Sequence, residues 1–561
     1  MPSVEDPRTI AEIIRSRADD TRPGLRFEDT TWTWGDFVDE CATRASLLSD
    51  LRRPGPFHVG VLLDNVPEFL FWLGGAALTG AAIVGINPTR RGAELQRDIE
   101  HTDCQLVISD AAGFGALSDL DLPIGPERTI LVDSPDYAAI LASHRGAALP
   151  PDDGSIDSAT LLLLLFTSGT TGYPKAVRCT QGRLAMIAAR VREQYEFTEH
   201  DVTYQAMPLF HGNALMANFA PAMYAGATVA LAGKFSASRF LSDIRRFGAT
   251  YFNYVGKALT YILAVPETDL DADNHLRLSF GNEASHRDIA EFSRRFGCRV
   301  IEGYGSSEGG AVINLAPGAP PGALGEGRPG VSILDPETGL EKARARFDAD
   351  GKILNAEEAT GEIANLQGAP GFEGYYNNTD ADNERVRDGI YWSGDLGYRD
   401  EAGWFYFAGR GADWLRVDGE NFAAAPLERL LYRFPGVVTA AVYAVPDPLS
   451  GDAVMVALEM EPGHAFDPEV FAAFLDAQPD LGTKWAPSFV RLATSMPLTG
   501  SLKVVKHSLR AESWGCHEPV FVRPARGPLS YDLLTPERAA QLADEYRNHG
   551  RESLLPMTAT V

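Results

Sequence analysis

The stretch that most constrains this chain is residues 161–179, LLLLLFTSGTTGYPKAVRC. Leu161 to Phe166 form an uncharged apolar run with the length of a buried strand. Thr167, Ser168, Gly169, Thr170, Thr171 and Gly172 follow, all of them small, and then Lys175. Ala176 to Cys179 have the composition of a second strand. A small-residue loop leaving a strand lets backbone N–H groups close on an anion, and hydroxyls and an ammonium add donors. The stretch predicts a loop that holds a polyphosphate. It is not the kinase-type G-x-x-x-x-G-K-[S/T] loop, because Tyr173 and Pro174 separate Gly172 from Lys175 and a strand-like segment follows.

The string TSGTTGYPK resembles the phosphate-loop signature of the adenylate-forming superfamily, which comprises acyl-CoA synthetases, amino-acid adenylation domains and luciferases. The rest of the chain agrees with that resemblance. RVIEGYGSSEGG, residues 299–310, reads as a strand delivering a second glycine-rich loop and resembles the superfamily's aromatic-Gly-x-[S/T]-E core. The resemblance implies that Tyr304 stacks on adenine, that Gly305, Ser306 and Ser307 lie by the nucleotide, and that Glu308 and Thr170 hold magnesium. One hard carboxylate plus nucleotide phosphates is how magnesium is usually bound. Gly281-Asn282-Glu283 ends another strand-like run, and in the superfamily such a loop lies against the adenine; glycine there would let backbone approach a flat ring. Ser393-Gly394-Asp395 resembles the family's [S/T]-G-D, whose carboxylate takes both ribose hydroxyls, as a carboxylate can. Gly409-Arg410 resembles the G-R that closes the large domain, with Arg410 near the ribose and α-phosphate. TGSLK resembles the last signature and implies Lys503, rather than Lys506, as the catalytic lysine. His211 follows the apolar MPLF, where the family has an aromatic or histidine lining the acyl pocket near the reacting carboxylate.

The implied architecture is α/β. With 561 residues, 45% of them hydrophobic, the chain can bury more than one core. Residues 1–160 alternate helical and strand patterns, which predicts mainly parallel sheets covered by helices. The resemblance implies a large N-terminal domain, 1–410, which binds ATP and the acyl group. A small mobile lid, 411–561, carries the catalytic lysine and pivots at 411–413. Family members often have a charged residue at the position of Ala412, so the pivot departs from the pattern. Within 411–561 the order LERLLYRF, VVTAAVYAV, VMVALEM, VFAAFLDAQ predicts a compact α/β unit, with a short helix TPERAAQLADEYRN in a charged tail.

Phe69 to Asn87 is uncharged for nineteen residues, close to membrane-spanning length. Asp64 and Glu68 precede it and Gly74, Gly75, Gly80 and Gly85 divide it, so a buried helix running into a buried strand is the reading. No transmembrane span is expected, and peripheral membrane contact stays open. The formal charge of −26 argues against a nucleic-acid partner. The five cysteines are scattered with no C-x-x-C pair, so neither a disulfide framework nor a zinc site is indicated and a reducing cytoplasm fits. The acidic N-terminus has no apolar core and does not read as a signal peptide.

The implied activity is that of an AMP-forming acyl-CoA synthetase using ATP, Mg²⁺ and CoA on a small-molecule carboxylic acid. NYVGKALTYIL, H-x-R-x-x-x-GNEAS and GENF are similar to the fatty-acid-transport-protein or very-long-chain acyl-CoA synthetase branch, with Lys257 and Glu283 departing from its pattern. The expected pocket residues His211, Gly212, Asn213, Tyr254, Val255, Gly256 and Gly281 include three glycines, which suits a long, very-long or sterol-side-chain acid. Two alternatives stay open at this point: an acyl-AMP ligase that passes the acyl group to a carrier protein, and a non-catalytic acyl- or nucleotide-binding or lipid-uptake protein. Oligomeric state is not legible.

Overall fold

The computed structural model describes residues 7–556 apart from 168–173, 283, 285, 317, 321, 349–352, 411–413, 418–419, 450, 479–480, 482–483, 500–501 and 525–528; at 126, 286, 410, 414, 416 and 420–423 it describes the backbone alone. The chain divides into two compact units, Met1–Gly310 with Ala369–Glu384 and Ala311–Gly368 with Arg385–Val561. The domain break expected at 410 falls inside the second unit, and the expected pivot lies outside the described residues.

The first unit is built on two sheets. One orders its strands Thr129–Leu131, Cys104–Ser109, His58–Leu62, Ala82–Gly85, Leu161–Thr167 and Lys175–Thr180. Every pair is parallel except the last, which is antiparallel. His58–Leu62 and Ala82–Gly85 are buried at every position. Strands covered on both faces are expected to be largely apolar, and here the exception, His58, has its Nδ1 2.7 Å from the Thr102 carbonyl oxygen.

The nineteen-residue apolar stretch is the helix Pro67–Thr79 followed by the strand Ala82–Gly85, with Gly80 in a left-handed turn at φ 68° between them. Its glycines serve packing. A Cβ on Gly74 would stand 2.1 Å from Cys41 Sγ, on the neighbouring helix Trp34–Leu51, so only glycine admits this approach. That neighbour begins at a side-chain cap: Thr33 and Asp36 form a reciprocal capping box. No helix among the described residues is long and apolar enough to cross a membrane.

The second sheet runs Arg299–Tyr304, Leu278–Asn282, Tyr251–Val255, Val202–Gln205, Thr228–Leu231, Pro23–Phe27 and Thr30–Thr33. These pairs are parallel except for the closing hairpin of Pro23–Phe27 with Thr30–Thr33. Parallel strands end on one edge of a sheet, which is where α/β proteins bind ligands. Here that edge receives Asn282, Tyr304–Glu308 and, after Val202–Gln205, His211.

In the second unit, antiparallel strands Val331–Leu334, Gly361–Asn365, Ile390–Arg399 and Val386–Arg387 form one sheet, with Phe405–Arg410 paired to Ile390–Arg399. A further sheet holds Val437–Pro446, Asp452–Met460, Phe489–Leu492, Val520–Val522 and Asp532–Leu533. Successive strand residues point to opposite faces. Val442, Val454, Val456 and Leu458 accordingly join Leu427, Leu430 and Phe471 in one core. Ala441, Tyr443, Val445 and Met455 join Leu509, Trp514, Leu542 and Tyr546 in the other. The tail helix Pro536–Asn548 therefore closes the second core, and Tyr546 Oη donates to the carbonyl of Pro446.

Candidate active site

Each unit carries its own group of the residues singled out from sequence. In the first unit, the apolar run becomes the strand Leu161–Thr167 and the following segment the strand Lys175–Thr180, paired in register from Leu161↔Thr180 to Thr167↔Lys175. The loop they carry, with Ser168, Gly169, Thr170, Thr171 and Gly172, lies outside the described residues, as does Glu283. Thr167 and Lys175 mark its two ends. Lys175 is 9% exposed; its Nζ lies 3.0 Å from Glu384 and 5.4 Å from the ring centroid of Tyr375.

Several of these elements come together. Ser307 sits against the segment after His211: a Cβ on Gly212 would stand 3.1 Å from Ser307 Oγ and 3.3 Å from Leu165 Cδ1. His211 caps the short turn Gly212–Ala214, with Nδ1 accepting from the Asn213 N–H at 3.3 Å. A π-turn, Leu215–Phe219, follows. Its buried Asn218 donates to Asn253 Oδ1 at 2.7 Å, and Asn253 donates to Asn213 Oδ1 at 2.6 Å. Asn282 donates its side-chain amide to the carbonyl of Gly303, tying the Gly281-Asn282 turn to the strand that ends at Tyr304.

Tyr304 is half-buried, Gly305 and Ser306 are exposed, and Glu308 is buried at 5%. Glu308 Oε1 accepts from Tyr375 Oη at 2.9 Å. The backbone of the same loop is held from the opposite direction: Arg183, on the helix Gln181–Gln194, donates to the Ser307 carbonyl and, at 2.9 Å, to the Arg178 carbonyl. One buried guanidinium thus links the strand leaving the phosphate loop to the loop carrying Glu308.

The glycine at 281 has an internal explanation. A Cβ there would meet the ring of Tyr254 at 2.3 Å, so packing inside the protein by itself requires glycine at this position. Tyr254 is fully buried and its hydroxyl donates to Glu302, which also accepts from the Ala284 N–H at 3.2 Å.

In the second unit, Asp395 lies on Ile390–Arg399, directly opposite Arg410. The turn of backbone at Asp395 is fixed by Ser393 Oγ, which accepts from the Asp395 N–H at 3.1 Å, and by Glu362, which accepts from the Gly394 N–H at 2.6 Å. Burial pushes the Glu362 carboxyl above its ordinary value; Arg387 and Arg385 act against that shift.

Lys503 sits in a closed turn. Its N–H donates to Thr499 Oγ1 at 3.1 Å, its carbonyl accepts from the Thr499 N–H at 2.8 Å, and Leu502 is left-handed at φ 62°. Lys506, the other lysine of the motif, has Nζ 2.9 Å from Glu428. Sequence reasoning did not single out Tyr375, Arg183 or Glu362. Tyr375 lies in GFEGYYNN, a glycine-aromatic-asparagine string that was the available signal; Arg183 and Glu362 have none. The cysteines are all free, and Cys41, Cys104, Cys179 and Cys298 are buried.

Comparison with known proteins identifies the family. Residues 15–376 match the model of the AMP-binding enzyme family, and 427–503 match that of the AMP-binding enzyme C-terminal domain. The second match ends on Lys503. The chain is 55% identical over 548 residues to steroid-22-oyl-CoA synthetase of Rhodococcus jostii, covering 98% of this chain and 99% of that one. It is 45% identical over 514 residues to the medium/long-chain-fatty-acid–CoA ligase FadD17 of Mycobacterium tuberculosis, covering 91% and 98%. Among solved structures, ATP-bound MatB from Rhodopseudomonas palustris superposes with a TM-score of 0.75 at 25% identity over 89% of this chain and 98% of that one. The anthranilate CoA ligase AuaEII, at 21% identity, shares the fold with a TM-score of 0.77 over 90% and 97%.

The chain belongs to the AMP-binding enzyme family, the adenylate-forming superfamily whose signatures its motifs resemble. It is an ATP-dependent acyl-CoA ligase of the AMP-forming type.

Proposed function

We propose that this ligase activates a large apolar carboxylic acid, with a steroid side-chain carboxylate as the first choice. The observation that carries this reading is the 55% identity, sustained over 98% of the chain, to a steroid-22-oyl-CoA synthetase. The FadD17 relatives favour a second reading, a medium- or long-chain fatty acid. Both are apolar acids, and an apolar pocket separates neighbouring homologues by only about 1–3 kcal/mol per group.

The chemistry has two half-reactions. The acid's carboxylate oxygen attacks the α-phosphorus of ATP, and the bond to pyrophosphate breaks. The CoA thiol, losing its proton, then attacks the acyl carbon; the bond to AMP breaks and the thioester forms. Asp395 accepts both ribose hydroxyls. The Lys503 ammonium offsets charge on the α-phosphate in the first half-reaction. Its tight turn supports this role, as does the commitment of Lys506 to Glu428. The hydroxyl-rich segment from Thr167 to Gly172 and Lys175 would take the β- and γ-phosphates. Tyr304 to Ser307 would meet the nucleotide with Gly281 and Asn282, and His211 would face the reacting carboxylate.

Magnesium fits the donor set. Among the described residues no three His, Cys, Asp or Glu side chains gather as a metal cage, and Glu308 presents a single hard carboxylate. Such a donor suits an ion that arrives on nucleotide phosphates. Glu308 and Thr170 would hold it, and when bound it supplies charge neutralisation on the phosphates. A cytoplasmic setting and a peripheral encounter with lipid substrates accord with this reading.

The test is a carboxylate panel assayed with ATP, Mg²⁺ and CoA for AMP and thioester. kcat/KM is expected to rise from acetate through octanoate to long-chain and ring-bearing acids, with a C22 steroid acid highest. A panel led by acetate, benzoate or an amino acid would overturn the substrate reading. Accumulation of bound adenylate without thioester would instead favour an acyl-AMP ligase.

A further inference from the structure

Tyr375 belongs to no motif used above, yet it contacts two of the charged groups in this region. Its hydroxyl donates to Glu308 Oε1 at 2.9 Å, and its ring lies 5.4 Å from Lys175 Nζ, within cation–π range. Both tyrosine and glutamate are buried, at 3% and 5% exposure. A phenol thus stands between the cation at the end of the phosphate loop and the carboxylate of the second glycine-rich loop. Tyr375 itself is anchored from outside both loops. Its N–H donates to Asp382 Oδ1 at 2.7 Å, its backbone bridges to Val177, and Phe372 packs edge-on at 5.0 Å.

The geometry has a chemical consequence. A carboxylate has about four lone-pair directions on two oxygens. Tyr375 occupies one of them on Oε1, which fixes the rotation of the carboxylate and leaves Oε2 for a hard cation. Arg183 fixes the backbone of the same loop through the Ser307 carbonyl. Backbone and side chain of this loop therefore have separate holds. Partners that orient a metal-ligating carboxylate set its affinity by about 10–100-fold.

We propose that Tyr375 is a positioning residue for Glu308, holding its carboxylate in the orientation that receives the divalent cation of the metal–nucleotide complex. This rests on the reading of Glu308 as a magnesium ligand.

The test compares wild type, Tyr375→Phe, Glu308→Gln and the double variant in full-length protein. Free Mn²⁺ is measured by its paramagnetic resonance signal in the presence of a non-hydrolysable ATP analogue, and metal-free nucleotide affinity by calorimetry in chelator. Phenylalanine keeps the ring, its packing and the Lys175 contact, and removes only the donor. Tyr375→Phe is expected to weaken Mn²⁺ binding by about ten-fold or more. Metal-free nucleotide affinity is expected to stay within about two-fold, and the substitution to add nothing in the Glu308→Gln background. 3-Fluorotyrosine at 375, which retains the hydroxyl, should restore wild-type Mn²⁺ binding and guards against a merely structural loss. Equal Mn²⁺ affinity in wild type and Tyr375→Phe overturns the inference, as does an equal further loss in the Glu308→Gln background or a failure of fluorotyrosine to rescue. If Glu308→Gln itself binds Mn²⁺ as wild type does, the magnesium-ligand reading falls first, and this inference with it.

Discussion

Asp395 and Arg410 are cross-strand partners: the antiparallel pairing of Ile390–Arg399 with Phe405–Arg410 sets their Cα atoms directly opposite. Two motifs that read as separate in sequence are one structural element. A register shift between Leu396 and Gly397 stands beside them, the kind of irregularity that re-aims side chains next to functional sites. Ser393 and Glu362 then fix the backbone of Ser393-Gly394-Asp395 through hydrogen bonds to the N–H groups of Asp395 and Gly394.

From this comes a prediction for the nucleotide. Asp395→Ala should weaken ATP binding by about 1.5–3 kcal/mol, the range for hydrogen bonds to a charged group. Glu362→Gln keeps an acceptor for the Gly394 N–H and should weaken it less. Calorimetric titration with ATP decides; unchanged affinity in Asp395→Ala would remove the ribose assignment.

Lys503 should matter to one half-reaction only. Lys503→Ala is expected to lose pyrophosphate exchange by about 10²–10³-fold, the scale for removing one donor aimed at developing charge. Supplied acyl-adenylate and CoA should still give thioester at near wild-type rate. Comparable losses in both assays would contradict the role.

Gly281 should tolerate no side chain. A Cβ there would stand 2.3 Å from the buried ring of Tyr254, on the paired residue of the neighbouring strand. Gly281→Ala should cost about 1–3 kcal/mol by overpacking. Gly281→Ala combined with Tyr254→Leu should recover part of that loss. Thermal unfolding of the three proteins is the measurement, and a wild-type melting point for Gly281→Ala would disprove the packing account.

Asp98 makes stability depend on pH. Burial raises its carboxyl from 3.8 to about 6, with Arg90 opposing the shift at 3.4 Å from Oδ2. The folded state therefore keeps a proton that the unfolded chain releases near pH 4. Between about pH 4 and 6 the folded form binds more protons, so this group's contribution to stability falls as pH rises and is fully unfavourable above about 6. Asp98→Asn should stabilise the protein at pH 8 by about 1–3 kcal/mol, with the gain gone near pH 4. Melting curves for both proteins across that range test the sign; a variant less stable at pH 8 would show that the Arg90 pairing outweighs burial.

Replacing the guanidinium of Arg183 should loosen the Glu308 loop. Arg183→Met keeps most of the buried stem but leaves the Ser307 and Arg178 carbonyls without this donor. Each orphaned carbonyl costs about 1–3 kcal/mol, so both stability and adenylation should fall. Hydrogen exchange should speed up at residues 305–310 and stay unchanged in the sheet of Val437–Pro446. Uniform exchange across both would refute a local role.

Much of the fold was legible because its signals are local. The strand Leu161–Thr167 and the helix–strand unit hidden in the apolar stretch each follow from a few consecutive residues. The candidate site was legible where a motif is contiguous, as in Tyr304 to Glu308. It was not legible where the partner is distant in sequence. Tyr375, Arg183 and Glu362 carry no pattern that names Glu308, Ser307 or Gly394 as their partners.

By itself, the sequence determined which segments are strands, which loops are rich in small residues and donors, and in what order they come. Those properties depend on side-chain size, hydrogen-bonding groups and period over a handful of positions. Only the tertiary structure decided that Asp395 pairs with Arg410 across the two strands, that Tyr375 reaches Glu308 and that Gly281 answers to the ring of Tyr254. The reason is register. Alternation along a strand says which face a residue takes, but shifting the pairing by two residues preserves every face while exchanging every partner. Bulges, buried hydrogen bonds and close glycine contacts select one pairing from that set, and they exist only once the sheets have formed.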